Sequence, residues 1–374
     1  MRIKSFLVIL VIVALAHLGL WFLIKPSDGQ GVSGENGSEQ ESVEGAGEAV
    51  SKPANPSIQE TARPSQPPNQ ETVKPDNPIQ PPVDTVKASP GVMNGARPFA
   101  YGRFVDDPGD LPQKLETRVA TECRSGILVD LESRRILWQK AATEPYAIAS
   151  MSKIMTAFEL MCELQAAGSK NTLDTKVSVP KKMFRKFSDC HIYMDPRESF
   201  TIDELLKCMM IHSANDCAYL LGEFMAGSEE AFVARMNARA KTLGLTTLNF
   251  CNTNGLPDKV NKRANRGCAM DIAYLSEYVM DVPEIMKWAS TKLDSIREGT
   301  RKFDLANKNH LLGSSACPGI NGLKTGYIDE SRFCITVTCE RNGRRMICVV
   351  MGAEKAKIRD NLVIALLNWG YTVQ

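Results

Sequence analysis

Between Pro26 and Arg97 the chain has no aromatic residue and holds eleven of its twenty prolines. Glu, Gly, Ser, Asn and Gln fill most of the rest, so this stretch cannot bury enough apolar surface to offset the entropy of ordering a backbone. Any compact fold is therefore confined to residues 98–374, where aromatic and aliphatic residues return. The segment reads as a disordered tether over residues 26–97. As a flexible coil its ends would lie on the order of 50 Å apart, and as extended polyproline it would reach about 200 Å.

Ahead of the tether, Arg2 and Lys4 precede an uncharged run from Phe6 to Ile24. A helix of about 20 such residues crosses a bilayer core of roughly 30 Å. Basic residues at its start place the amino terminus inside, and Trp21, Phe22 and Lys25 at its end suit a membrane interface. A cleaved signal peptide is the alternative, although its apolar core is typically only about 7 to 15 residues. The expected organisation is a cytoplasmic tail and transmembrane anchor over residues 1–25, the linker, and a globular domain on the far side of the membrane.

A formal charge of +2, with no basic stripe interleaved with aromatics, gives no reason to expect a nucleic-acid partner. All eleven cysteines fall in the globular part, and none makes a C-x-x-C pair or a zinc-spaced Cys/His cluster. They read as small core residues, and no metal or cofactor is expected. An odd count in an exported chain leaves at least one thiol unpaired.

In YAIASMSKIMTAFELM, Tyr146 to Met161, apolar residues recur at three- and four-residue spacing, which predicts a largely buried helix. Lys153 is out of place there. Burial of an unpaired ammonium costs several kcal/mol or drives the group to lose its proton. Ser150, one turn back on the same face, lies within reach of the amine. Elsewhere SGILVDLESRRILWQK predicts two strands around a turn. FCITVTCE and RMICVVMG flank an Asn342-Gly343 hairpin turn, and a final helix runs from about Ala356 to Trp369. The middle is mainly helical. Together these predict an α/β (α+β) domain: an antiparallel sheet built from both ends, flanked by helices, with a helical subdomain inserted.

Three short motifs fall on this frame: Ser150-Met151-Ser152-Lys153, Ser213-Ala214-Asn215 and Lys324-Thr325-Gly326. Each alone is weak, since a second S-x-x-K occurs at Ser178 to Lys181 and a second S-x-N at Ser169 to Asn171. The first of these has Pro180 within a spacing that must be helical. Order and placement carry the weight: a helix start, then a loop beside helices, then the start of a strand. The set resembles that of penicillin-binding serine acyl transferases. NGLKTGYIDESRFCITVT, FCNTNGLP, EEAFVARMNARAKTLGL and RRMICVVMGAEKAKIRDNLVIALLNWGY are similar to the low-molecular-weight D-alanyl-D-alanine carboxypeptidase family through most of Thr121 to Gln374.

The resemblance implies a β-lactamase/transpeptidase-like fold, a peptidoglycan stem peptide ending in D-Ala-D-Ala as substrate, and β-lactams as acylating inhibitors. Ser150 would be the nucleophile and Lys153, if neutral, its base. Ser213 would relay a proton to the leaving amine, and Asn215 would orient Lys153 and the substrate amide. Lys324 would add positive potential beside Ser213. Thr325 would bind the terminal carboxylate in the Lys-Thr-Gly strand, with Gly326 and Tyr327 in the substrate-binding set. Backbone N–H groups of Ser150 and Tyr327 would form the oxyanion hole. Arg359, seven residues after Gly352, falls where the family places a carboxylate-binding arginine, and a planar two-pronged donor suits that ligand. The alternative for Arg359 is a solvated helix charge; Lys308, between two asparagines, is a weaker candidate.

This chain departs from the family at Ala214, often Gly; at Asn254, usually His; and at Asp189-Cys190, usually a Ser-rich pair. It ends just after the last helix, where many relatives continue to a further domain and a carboxyl-terminal anchor; the amino-terminal helix is expected to take over anchoring. A D,D-endopeptidase cutting cross-links would use the same chemistry, and the residues leave that alternative open. A β-lactamase fits less well, because Leu245 stands where the deacylating glutamate would be. A non-catalytic wall-binding module would need a broken motif, and none is broken.

Overall fold

The computed structural model describes residues 98–183, 186–258 and 261–374. The expected anchor and tether lie outside the described residues. No helix among the described residues is long and apolar enough to cross a membrane.

The sheet is built from both ends of the described chain, as expected. Its strands are β1 (Val105–Asp106), β2 (Ser125–Asp130), β3 (Arg135–Lys140), β4 (Lys324–Ile328), β5 (Arg332–Arg341) and β6 (Arg344–Ala353), in spatial order β1-β3-β2-β6-β5-β4. Only the short β1–β3 pairing is parallel. The β5–β6 hairpin turns at Asn342 and Gly343, both with positive φ (51° and 79°), the conformation a two-residue hairpin turn requires. Arg341 pairs with Arg344 across it.

Strand alternation sorts side chains to two cores. Leu128, Met346, Cys348 and Val350 face α1 (Gln113–Glu122) and the final helix α8 (Ala356–Gly370), packing on Leu115, Val119, Leu362 and Leu366. Ile127, Val129, Ile347 and Val349 face the opposite way. There they join the larger core that α6 (Ala269–Met280) shares with the inserted helices. Those are α2 (Lys153–Leu164), α3 (Ile202–Ile211), α4 (Asn215–Ala226) and α5 (Glu229–Thr242), with α7 (Pro283–Ser290) following α6. Thr201 starts α3 with a reciprocal capping box to Glu204, and Ser228 caps α5 through the Ala231 N–H. Nine of the eleven cysteines are buried, in keeping with their reading as core residues.

The helix expected through Tyr146 to Met161 begins later than its periodicity suggests. Tyr146–Ala147 is a short strand paired with Arg266–Gly267, Ala149–Ser152 is a 3-10 turn, and the α-helix starts at Lys153. The reason is local. Ala149 has φ +46°, outside the helical region, so the chain enters the helix through a tight turn that carries Ser150.

Candidate active site

Ser150 stands on the 3-10 turn and Lys153 is the first residue of α2, fully buried beneath it. The Lys153 Nζ lies 2.9 Å from Ser150 Oγ, 2.8 Å from Asn215 Oδ1 and 2.5 Å from the Asn254 carbonyl oxygen. Burial holds the Lys153 amine well below the ordinary lysine pKa, and the positive charge of Lys324 lowers it further. Asn215 opens α4. Its Nδ2 donates to the Asp189 carbonyl (2.8 Å), which turns Oδ1 toward Lys153.

Ser213 precedes α4 with φ +65°, and its Oγ accepts from Lys324 Nζ at 3.0 Å. Lys324 also donates to the Thr325 carbonyl (3.2 Å). Burial pushes its pKa down to about 7, with the cations of Lys308 and Arg359 acting in the same direction. The structure therefore brings Ser150, Lys153, Ser213, Asn215 and Lys324 into one hydrogen-bonded centre from three distant parts of the sequence.

β4 starts at Lys324, as expected, and lies against the Ser150 turn. A Cβ on Gly326 would stand 2.8 Å from the Ile148 carbonyl oxygen and 3.2 Å from the Met151 nitrogen, so only glycine lets the strand approach this closely. Thr325 is nearly buried at the same strand, and the Tyr327 side chain, 51% exposed, faces out and donates to Asp329 (3.0 Å). Arg359, in the first turn of α8, is not a solvated charge: it is 4% exposed. Its Nε and Nη2 donate to Asp360 Oδ1 (2.8 and 2.6 Å) and its Nη1 to the Cys334 carbonyl (3.3 Å). The two-pronged edge expected to meet a ligand carboxylate is thus turned to Asp360. The Arg359 charge is still felt at Lys324.

Two contributors carry no motif letter. The Asn254 main chain supplies a carbonyl to Lys153. Gly255 (φ +88°) packs so tightly on the nucleophile turn that a Cβ would meet the Ala149 oxygen at 2.0 Å. The Asn252 side chain holds this loop through the Asn254 and Gly255 N–H groups (3.2 and 2.7 Å). The Asn-rich, glycine-containing run Asn252 to Gly255 was the available signal, but a backbone carbonyl leaves no trace in residue identity. Left-handed backbone at Ala149, Cys190, Tyr193 and Ser213 surrounds the centre, the concentration of local strain that functional sites tend to carry.

A D-alanyl-D-alanine carboxypeptidase family model matches residues 113–355. D-alanyl-D-alanine carboxypeptidase DacF of Bacillus subtilis is 33% identical over 275 residues, covering 73% of this chain and 67% of the relative. DacC of Escherichia coli is 31% identical over 261 residues, covering 67% of this chain and 62% of that protein. The chain thus spans about two thirds of the length of these curated relatives. Among solved structures, penicillin-binding protein D2 of Listeria monocytogenes in its ampicillin-bound form superposes with a TM-score of 0.59 at 28% identity. That match covers 67% of this chain and 98% of the other.

Proposed function

Because this chain belongs to the D-alanyl-D-alanine carboxypeptidase family, we propose that its Ser150 centre trims the terminal D-alanine from peptidoglycan stem peptides by an acyl-enzyme route. The chain is a serine-type carboxypeptidase. The observation that carries the residue roles is the set of three partners around Lys153 Nζ. Carbonyl oxygens can only accept, so the two N–H bonds of a neutral amine go to Asn215 Oδ1 and the Asn254 carbonyl. That leaves the amine lone pair facing Ser150 Oγ. A neutral, buried Lys153 is then a base aimed at the nucleophile's proton.

Ser150 attacks the carbonyl of the penultimate D-alanine, its proton passing to Lys153. The tetrahedral oxyanion is met by the N–H groups of Ser150 and Tyr327. The leaving nitrogen takes a proton through Ser213, whose hydroxyl is held by Lys324. Water then hydrolyses the ester and restores the serine. Thr325, with Gly326 keeping the strand close, holds the terminal carboxylate, and Arg359 contributes a fixed positive charge behind it. β-Lactams, which the Listeria protein binds, would acylate the same hydroxyl. The apolar run from Phe6 to Ile24 supports a membrane anchor for a domain that begins near residue 98 and works outside the cell membrane.

The test is a chain beginning at Arg97 compared with the full chain. Both should be labelled by a fluorescent penicillin and release D-alanine from a pentapeptide, and Ser150→Ala should do neither. Labelling that persists in Ser150→Ala would refute the assignment, and a shorter chain that precipitates or fails to label under conditions where the full chain works would move the domain boundary.

A further inference from the structure

Two of the eleven cysteines meet at the segment that leads into β4. Cys339 Sγ, on β5, donates to the Pro318 carbonyl at 3.6 Å, and Pro318 follows Cys317 in the chain. Ile320 bridges to Cys339, and the Glu340 N–H donates to the Gly319 carbonyl (2.9 Å), so residues 317–320 run along this stretch of β5. The Cys317 and Cys339 thiols hydrogen-bond each other. Both side chains are buried in the core beneath α8, yet Ala316, Pro318 and Gly319 beside Cys317 are exposed.

Arg341 is fixed against this pair. Its Nη2 donates to Cys317 Sγ (2.9 Å) and to Asn368 Oδ1 (2.8 Å), and its Nε donates to the Pro318 carbonyl (2.8 Å). The guanidinium lies over the Tyr371 ring, 4.3 Å from its centroid. The hydrogen bond from Cys317 holds the Cys339 thiol below its ordinary pKa, with the Tyr371 hydroxyl and the Arg341 charge acting the same way against burial. A thiol held toward its thiolate beside a fixed cation is the reactive kind. Cys208 and Cys217 also hydrogen-bond, between α3 and α4, but burial pushes the Cys217 thiol well above its ordinary value, which keeps it protonated and inert.

We propose that Cys317 and Cys339 are a disulfide site, which a disulfide oxidant closes into a bridge that clamps the lead-in to β4 onto β5. The oxidant reaches the pair when the exposed turn at residues 313–319 opens, a local movement that leaves the sheet folded. The Cys339 thiolate, its proton given to water, attacks one sulfur of the oxidant; the S–S bond breaks and the other sulfur leaves as a thiolate. That thiolate takes the proton of Cys317, whose sulfur attacks Cys339 in the mixed disulfide and releases the second half of the oxidant, which is protonated from water. Two protein thiols are oxidised and one disulfide is reduced to two thiols. The Lys324-Thr325-Gly326 motif then lies inside the closed loop, and constraining that loop in the unfolded chain stabilises the fold. A domain placed outside the membrane, as proposed above, is where such oxidants are met.

In the test, the purified full chain is reduced, incubated while folded with oxidised glutathione, alkylated at its remaining thiols and digested without reductant. The peptides bearing Cys317 and Cys339 should be recovered joined, and the melting temperature should rise by about 5 to 10 °C over that of the reduced protein. Cys317→Ala and Cys339→Ala should each lose both the joined peptide and the rise; if a variant fails to fold, the wild-type peptide map decides alone. Alkylation of both Cys317 and Cys339 after oxidation of the folded chain would overturn the proposal. A bridge to another cysteine in place of this pair, or a bridge that leaves the melting temperature unchanged or lower, would overturn it too. Each of these outcomes leaves the carboxypeptidase reading standing, because neither sulfur belongs to the Ser150 centre.

Discussion

Lys153 Nζ and Ser150 Oγ lie 2.9 Å apart, with Lys153 completely buried. A fully desolvated amine beside a serine hydroxyl is a liability for folding and an asset for proton transfer. Lys153→Met keeps most of the buried volume and removes the base. It should lower penicillin acylation by about a hundred- to ten-thousandfold with an unchanged circular dichroism spectrum. Acylation near the wild-type rate in a folded Lys153→Met protein would exclude the lysine as base.

Gly255 offers a test of the loop that supplies the Asn254 carbonyl. An alanine there would combine a positive φ with a Cβ 2.0 Å from the Ala149 oxygen, and no flexible side chain can give way. Gly255→Ala should lose at least about 2 kcal/mol of stability and acylate more slowly, because the displaced turn carries Ser150. A melting temperature and labelling rate matching wild type would contradict the packing described.

How much of the site is legible in the sequence depends on whether function lives in side chains or in backbone. Ser150, Lys153, Ser213, Asn215 and Lys324 are named by their motifs, and the Asn342-Gly343 turn and α8 are set by local chemistry, so all can be read. The Asn254 carbonyl, the Asp189 carbonyl that orients Asn215, and the late start of α2 depend on dihedral angles and on packing between distant segments. Arg359 is half legible. Its place in the chain marks it, but its pairing with the adjacent Asp360 follows from a buried site in which a lone guanidinium needs a counter-charge.

Lys324 should leave a signature in stability against pH. Its pKa falls from the ordinary lysine value of 10.5 to about 7 on folding. Between those values the unfolded chain binds one more proton at this site, so the contribution to stability rises with pH, by about 1.4 kcal/mol per unit. Lys324→Met lacks this contribution. It should be the more stable protein near pH 7, and its advantage should shrink steadily toward pH 9.5 in denaturant titrations. A pH-independent difference would mean that Lys324 keeps its proton when buried.

For Arg359 the expected readout is a substrate comparison. Arg359→Ala should cut turnover of a peptide with a free D-alanine carboxylate about tenfold by removing the fixed positive charge behind Thr325, and Arg359→Lys should recover most of it, because the fork is engaged by Asp360 and charge is what the ligand feels. A substrate amidated at that end should lose nothing further with either variant. Unchanged kinetics on the free carboxylate would leave its recognition to Thr325 and its neighbours.

β4 closes the spatial order of the six strands, so the strand bearing Lys324, Thr325 and Gly326 pairs with β5 on one side only. An unpaired strand margin presents backbone donors and acceptors that invite another extended chain. The stem peptide would therefore lie down as a temporary seventh strand, held mainly through its own amides. Recognition of that kind tolerates variation in peptide side chains while remaining strict about backbone direction and spacing. It also means that a proline or an N-methyl group at the paired amide should block binding more effectively than a bulky side chain would.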